Sequence, residues 1–198
     1  MKIILEKYNP EWTDIFSRLK EEIISCTGFL NPVIEHIGST SVYGLTSKPV
    51  IDILAGVRDE SDIDKTISPL VKNGFIYYEK YNSVMPYRRY FVKLKKLPDD
   101  FNMPEIIRDS DIVPPKINIY KLAHIHVMKH NSFHWIRHIA FRDYLRKNEE
   151  ARDEYENLKL NLCEQEWKSG SEFSAAKSDF ISKTEKASFE LYRKNYPE

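Results

Sequence analysis

The feature that most constrains this chain is a short apolar run at residues 50–57, which contains a single charged residue, Asp52. A nearly continuous apolar run of this length predicts a central β-strand that is buried on both faces, as in α/β proteins. A carboxylate in such a strand costs free energy unless it is paired, hydrogen-bonded or bound to a cation. Asp52 is therefore a candidate site residue, and an ion pair with a neighbour such as Lys48 is the structural alternative.

The remaining periodicities predict a small sheet flanked by helices. A first helix begins after Asn9, and a second helix ends before Gly74. Further strands are predicted at residues 33–37, 75–79, 89–95 and 119–128, and helices from 132 to 196, with breaks near Asn148 and Ser169. This order predicts an α/β (α+β) fold with a small mixed sheet. Residues 1–130 are expected to form the core, and residues 131–198 to form C-terminal helices packed on it as one compact domain.

Residues 97–116 differ from the rest of the chain, because they contain four prolines and few periodic apolar positions. A long segment of this kind predicts a mobile loop that could close over a site.

Composition excludes several classes of protein. Thirty basic residues balance thirty acidic residues, so the chain is not expected to bind nucleic acid through its overall charge. No apolar run approaches the ~20 residues of a membrane span, and the N-terminus lacks a signal-peptide core. A cytoplasmic protein without membrane contact is expected, in which Cys26 and Cys163 are reduced thiols. The oligomeric state cannot be predicted from the sequence.

Small residues follow the predicted strand at residues 33–37, and they are Gly38, Ser39, Thr40 and Ser41. Such residues let backbone N–H groups approach a phosphate, and their hydroxyls can add hydrogen bonds. The spacing does not match a Walker A loop or a G-x-G-x-x-G motif. An ordinary tight turn is the alternative.

Histidines supply a third pattern. Strand alternation places His124 and His126 on one face, where they could bind a metal or move protons. Two histidines on the wet face of an edge strand are the alternative. In the next helix, basic residues recur every four positions, namely His130, His134, His138, Arg142 and Arg146. This stripe predicts a solvated basic face or, as the alternative, a groove that binds phosphate. Arg142 itself is expected to form an ion pair that ties the helix to the sheet, and the alternative is that it reaches the site and binds phosphate.

Three segments resemble the motifs of a known family, GrpB. Residues 36–57 resemble its signature and read HIGSTSVYGLTSKPVIDILAGV. Residues 124–127 and 140–159 resemble its later motifs and read HIHV and AFRDYLRKNEEARDEYENLK. The resemblance spans most of the chain and implies a fold of the nucleotidyltransferase superfamily, the architecture of DNA polymerase beta.

The resemblance also implies a site. In that superfamily a Gly-Ser turn holds a nucleoside triphosphate, and two carboxylates spaced D-h-D on the next strand bind magnesium. Gly38 and Ser39 match the turn, and Asp52 matches the first carboxylate. The chain departs from the pattern at the second carboxylate position, which is Leu54. Glu35, which precedes the turn, or the histidines His124 and His126 are the expected substitutes.

The activity implied is the metal-dependent transfer of a nucleotidyl group from a nucleoside triphosphate to an unknown small-molecule or protein acceptor. The catalytic candidates are Asp52, Glu35, His124 and His126. Asp52 would bind Mg²⁺ or Mn²⁺, and His124 with His126 offers a Zn²⁺ site as a further option. Phosphate contacts are expected from Gly38, Ser39, Thr40, Ser41, Lys48, Arg88, Arg89 and Arg142. The alternatives are a nucleotide-binding protein with a degenerate site and a histidine-dependent activity of another class.

Overall fold

The sheet is mixed and has five strands in the computed structural model, which describes residues 2–96 and 103–196. The strands are β1 (Val33–Ile37), β2 (Ile51–Val57), β3 (Phe75–Tyr77), β4 (Arg88–Leu94) and β5 (Lys121–Lys129). Their spatial order is β1-β2-β5-β4-β3, and β2 and β5 are parallel while the other pairs are antiparallel. The predicted small mixed sheet is confirmed. Pairing between strands that are distant in the sequence places β5 at the centre of the sheet.

Helices flank this sheet on both faces. They are α1 (Glu11–Thr27), α2 (Glu60–Ile63), α3 (Ile67–Lys72), α4 (Phe133–Lys147), α5 (Glu149–Cys163), α6 (Gly170–Ala175) and α7 (Ser178–Asn195). The predicted helix breaks near Asn148 and Ser169 are present, because each residue caps the following helix with its side chain. None of the helices in the described residues is long and apolar enough to cross a membrane.

One face of the sheet carries the main hydrophobic core. Side chains alternate along a strand, so Ile51, Ile53 and Ala55 point to this face while Asp52 and Leu54 point to the other. The core combines these residues with α1 and α3 and includes Trp12, Leu19, Ile23, Leu70, Phe91 and Ile125. Leu54 is also fully buried, so the prediction that β2 is covered on both faces is correct.

The opposite face is covered at one end by α4. A Cβ atom added to Gly56 would lie 2.6 Å from the ring of Trp135, so only glycine allows the helix to approach this closely. Leu54, Met128 and Ile139 complete this second cluster. The helix covers the carboxyl end of β2 and leaves the beginning of the strand, where Asp52 lies, to other neighbours.

The segment between β1 and β2 is fixed by α5. Val42 and Leu45 are buried against Tyr155 and its neighbours. Lys159 donates a hydrogen bond to the carbonyl of Thr46, whose amide N–H donates to Glu156 at 3.2 Å. These contacts hold the chain that leads from the Gly-Ser turn into β2.

Residues 97–116 are predicted to form a mobile loop, and the structure shows that one part of this segment, Ile106 and Ile107, packs against β3. Residues 97–102 lie outside the described residues. Beyond them, the Ile107 N–H donates to the Tyr77 carbonyl at 2.7 Å, and the Ile107 side chain is fully buried. This short segment adds one bridge to the free edge of β3, and so brief a contact leaves no periodic signal in the sequence.

Candidate functional site

Asp52 lies beside the Gly-Ser turn because β1 and β2 are antiparallel. Their register places Ile37 opposite Asp52, so the turn begins directly against the carboxylate. Gly38 has φ 71° and ψ −175°, and a Cβ atom there would lie 2.4 Å from Oδ2 of Asp52. The Asp52 side chain nevertheless keeps 32% of its exposure, which makes it accessible to a ligand.

His124 is the hydrogen-bond partner of Asp52. The parallel register of β2 and β5 sets the two residues side by side, with Nδ1 of His124 3.0 Å from Oδ1 of Asp52. Burial alone would raise the pKa of Asp52, but the hydrogen bond and charge of His124 lower it to about 2. Burial also lowers the pKa of His124, although Asp52 opposes this. At neutral pH Asp52 is therefore an ionised carboxylate that accepts the Nδ1 proton of His124.

His126 belongs to a second polar group on the same face. Arg88 Nη1 donates to its Nδ1 at 2.8 Å, and the ring of Tyr90 contacts both His126 and His124 at centroid distances of 5.3 and 5.6 Å. Burial, with the charge of Arg88, lowers the pKa of His126 well below its usual value and that of His138 to about 4. The predicted same-face placement of the two histidines is confirmed. The edge-strand alternative is wrong, because β5 lies at the centre of the sheet.

Sequence reasoning missed several groups that the tertiary structure brings to this face. The side chain of Tyr155 on α5 lies close to that of Ser39. The ammonium group of Lys48, a predicted contact, lies over the ring of Phe173 together with that of Lys177, an unpredicted one. No local pattern could have found Tyr155 or Lys177, because the docking of the C-terminal helices alone places them here.

Three of the predicted phosphate-binding residues have other partners. Thr40 Oγ1 lies 3.0 Å from His36 Nε2 and is buried, and the Ser41 hydroxyl donates to the Gly38 carbonyl at 2.7 Å. Arg89 Nε donates to Asp64 at 2.6 Å on the opposite face of the sheet. Side-chain alternation explains this, since Arg88 and Arg89 must point to opposite faces.

Arg142 and Glu35 form an ion pair, as the structural interpretation of Arg142 predicts. Nη1 of Arg142 donates to Glu35 at 2.6 Å and to the His36 carbonyl at 3.1 Å, and Nε donates to Asp143 at 2.8 Å. The Glu35 carboxylate is thereby engaged by the arginine. The expectation of a solvated basic face on α4 is wrong, because Arg142 is only 7% exposed and His138 lies against His126.

A groove of about 1070 Å³ lies next to this ion pair, between β1, α4 and α7. Its walls include Phe133, Trp135 and Tyr192, and Asp52 does not contribute to it. The groove includes neither Asp52 nor the Gly-Ser turn, so we take Asp52 and the residues around it, which we call the Asp52 site, as the candidate site.

The oxygen and nitrogen ligands at the site fit Mg²⁺ better than Zn²⁺. Within residues 2–96 and 103–196, no three His, Cys, Asp or Glu side chains are grouped to hold a metal ion. Zn²⁺ needs three or four such ligands, so the pair His124 and His126 does not suffice. Mg²⁺ commonly takes one or two carboxylates and completes its shell with water and substrate phosphates, and Asp52 fits that role.

Comparison with known proteins adds a family. A family model described as GrpB protein matches residues 2–187. A UPF0157 protein of Halalkalibacterium halodurans is 32% identical over 90% of this chain and 78% of its own length. The glutamate-rich protein GrpB of Alkalihalophilus pseudofirmus is 28% identical over 91% of this chain and 92% of its own. The crystal structure of the conserved protein GrpB from Enterococcus faecalis has a TM-score of 0.73 at 28% identity, covering 96% of this chain and 99% of that one.

Proposed function

The chain belongs to the GrpB family, and from that premise we propose that its Asp52 site binds a nucleoside triphosphate and transfers the nucleotidyl group to a small-molecule or protein acceptor. One observation carries the proposal: an ionised, accessible carboxylate packs directly against a Gly-Ser turn at the start of a buried strand. This is the arrangement of turn and first carboxylate that the nucleotidyltransferase fold uses for a triphosphate.

The residues around Asp52 have separate roles in this proposal. Asp52 would hold Mg²⁺, which when bound would neutralise charge on the phosphates. His124 fixes the orientation of the carboxylate through its Nδ1 hydrogen bond, in the way that outer groups orient metal ligands. Lys48 and Arg88 offset the negative charge of the phosphate chain and leaving group.

A second candidate function is nucleotide binding without transfer. It is favoured by Leu54, which stands where a second carboxylate is expected, and by Glu35, whose carboxylate is engaged by Arg142. A site with one carboxylate binds fewer metal ions than the two-metal arrangement requires.

The test compares nucleotide binding by the original protein and by Asp52→Asn. ATP, GTP, CTP and UTP are titrated calorimetrically with and without Mg²⁺, and thermal unfolding is followed on the same samples. A nucleotide at 100 times its Kd should stabilise the fold by about 2.7 kcal/mol. We expect Asp52→Asn to remove the Mg²⁺-dependent part of nucleotide binding. The loss of fold stability should be small, since the amide keeps the shape of the acid.

Asp64→Asn is the matched control, because it removes an exposed carboxylate on the opposite face. Release of pyrophosphate from the bound nucleotide then separates transfer from binding alone. Absence of binding to all four nucleotides with Mg²⁺ or Mn²⁺ would overturn the proposal. Binding that Asp52→Asn leaves unchanged would do the same for the assigned site.

A further inference from the structure

Three lysines from distant parts of the chain lie near Asp52. Lys48 precedes β2, Lys121 begins β5, and Lys177 immediately precedes α7. The Nζ atoms of Lys48 and Lys177 lie 5.0 and 4.5 Å from the centroid of the same Phe173 ring. Lys121 is close enough to Lys48 for their charges to repel. We call Lys48, Lys121 and Lys177 the lysine cluster.

The lysine cluster lacks the carboxylate partners that buried ammonium groups normally have. Within the described residues, no Asp or Glu forms an ion pair with any of the three. The carboxylate whose charge reaches Lys48 and Lys177 is Asp52. Burial, followed by repulsion from Lys48, lowers the pKa of both Lys121 and Lys177 to about 8. Partly buried like charges are unfavourable unless an anion joins them.

The position of the cluster indicates which anion it fits. The charges of Lys48 and Lys121 both act on His124, and that of Lys48 acts on Asp52, so the lysine cluster lies near the site. Lysine binds phosphate as a point charge, and three such charges from separate elements match an extended chain of phosphates better than a single anion. Phe173 keeps two of the ammonium groups in place through cation–π contacts.

We propose that the lysine cluster is a polyphosphate-binding subsite, which the C-terminal helices complete by supplying Lys177 and Phe173. This inference rests on the proposed function, because the phosphate chain that the lysines bind belongs to the nucleotide held at Asp52. The C-terminal helices then form part of the binding site, in addition to packing on the sheet. A nucleoside triphosphate and inorganic triphosphate share the chemistry that the cluster recognises.

The experiment uses inorganic triphosphate as the probe and calorimetry as the readout, with ATP titrated in parallel. The variants are Lys121→Gln and Lys177→Gln, and Lys183→Gln is the control, since this exposed lysine on α7 pairs with Glu154. Loss of one charged hydrogen bond is expected to weaken triphosphate binding about tenfold or more in each variant, and not in the control. Orthophosphate should bind far more weakly than triphosphate to the original protein.

Thermal unfolding of the same variants distinguishes a binding role from a structural one. Removing an uncompensated, partly buried charge should leave the melting temperature unchanged or raise it, whereas removing a structural contact would lower it. Lys177→Arg, which keeps the charge, should retain most of the triphosphate affinity. A lowered melting temperature in both glutamine variants, with triphosphate affinity equal to that of the control, would overturn the inference.

The outcomes also separate this inference from the proposed function. Lysine-dependent binding of triphosphate without any binding of nucleotides would keep the subsite and overturn the nucleotide proposal. Nucleotide binding that neither lysine substitution weakens would support the proposed function and overturn the polyphosphate-binding subsite. Failure of every polyphosphate to bind would overturn both.

Discussion

Replacing Gly38 with alanine tests the contact on which the candidate site depends. Gly38 has a positive φ with ψ near 180°, a region that is essentially restricted to glycine and costs other residues about 1–3 kcal/mol. The new Cβ atom would also lie 2.4 Å from Oδ2 and 2.9 Å from Cβ of Asp52. Rotation of the Asp52 side chain can relieve the first contact. It cannot relieve the second, because the Cβ atom is fixed by the backbone of β2.

The crowding adds about 1–3 kcal/mol, as overpacking of a filled site does. Gly38→Ala should therefore lower the free energy of unfolding by about 2–6 kcal/mol in total. Gly44→Ala is the matched control, since Gly44 has φ +79° but no atom within 4 Å of the added Cβ. That variant should lose only the backbone part, about 1–2 kcal/mol.

Urea denaturation of both variants at equal m values measures the difference. The imidazole nitrogen signals of His124 give a second readout, because a displaced Asp52 no longer accepts the Nδ1 hydrogen bond. Equal destabilisation by Gly38→Ala and Gly44→Ala, with the His124 signals unchanged, would refute the close packing of Asp52 against the turn.

Two further predictions concern the buried charges. Arg142→Lys cannot keep the hydrogen bonds to Glu35, Asp143 and the His36 carbonyl together, so we expect the free energy of unfolding to fall by about 1–3 kcal/mol with nucleotide affinity unchanged; unaltered urea stability with lost affinity would reverse this assignment. Burial lowers the pKa of His36 from 6.5 to about 4, so its contribution is complete above pH 6.5 and lost as the pH falls through 4. Stability should drop by about 3 kcal/mol over this interval, and His36→Gln should flatten the pH dependence of urea denaturation.

The sequence predicts the part of the site that depends on local periodicity. Side-chain alternation along β2 directs Asp52 to the opposite face from the apolar residues on either side of it. Alternation along β5 puts His124 and His126 on one face. Arg88 and Arg89 show where this reasoning stops. Alternation separates the two arginines, but only the pairing of β4 with β5 decides which of them shares a face with Asp52. Pairing between distant strands leaves no trace in either segment alone.

The lysine cluster is beyond prediction for a related reason. Lys177 lies in a stretch where lysine is common, and the docking of α7 and the Phe173 ring distinguishes it from exposed neighbours such as Lys183. Tyr155 likewise belongs to the ordinary apolar stripe of α5, and its contact with Ser39 depends on the whole C-terminal region folding back. Tertiary docking brings these groups to the site from helices that are remote in sequence.

The packing of α4 explains why position 54 carries leucine. Leu54 points to the same face as Asp52 but lies two residues further along β2, where it is fully buried with Trp135 and Ile139. A carboxylate there would lose its hydration beneath the helix, at a cost of several kcal/mol unless it were paired. An acid at position 54 would require α4 to move away from the strand, where Gly56 lets the helix dock closely. Under the proposed function, the positive charge that a second metal ion would bring is supplied by ammonium groups at the open end of the strand. One carboxylate and three lysines are therefore compatible with binding a phosphate chain. The C-terminal helices both bury position 54, which excludes a second carboxylate, and place Lys177 near the site.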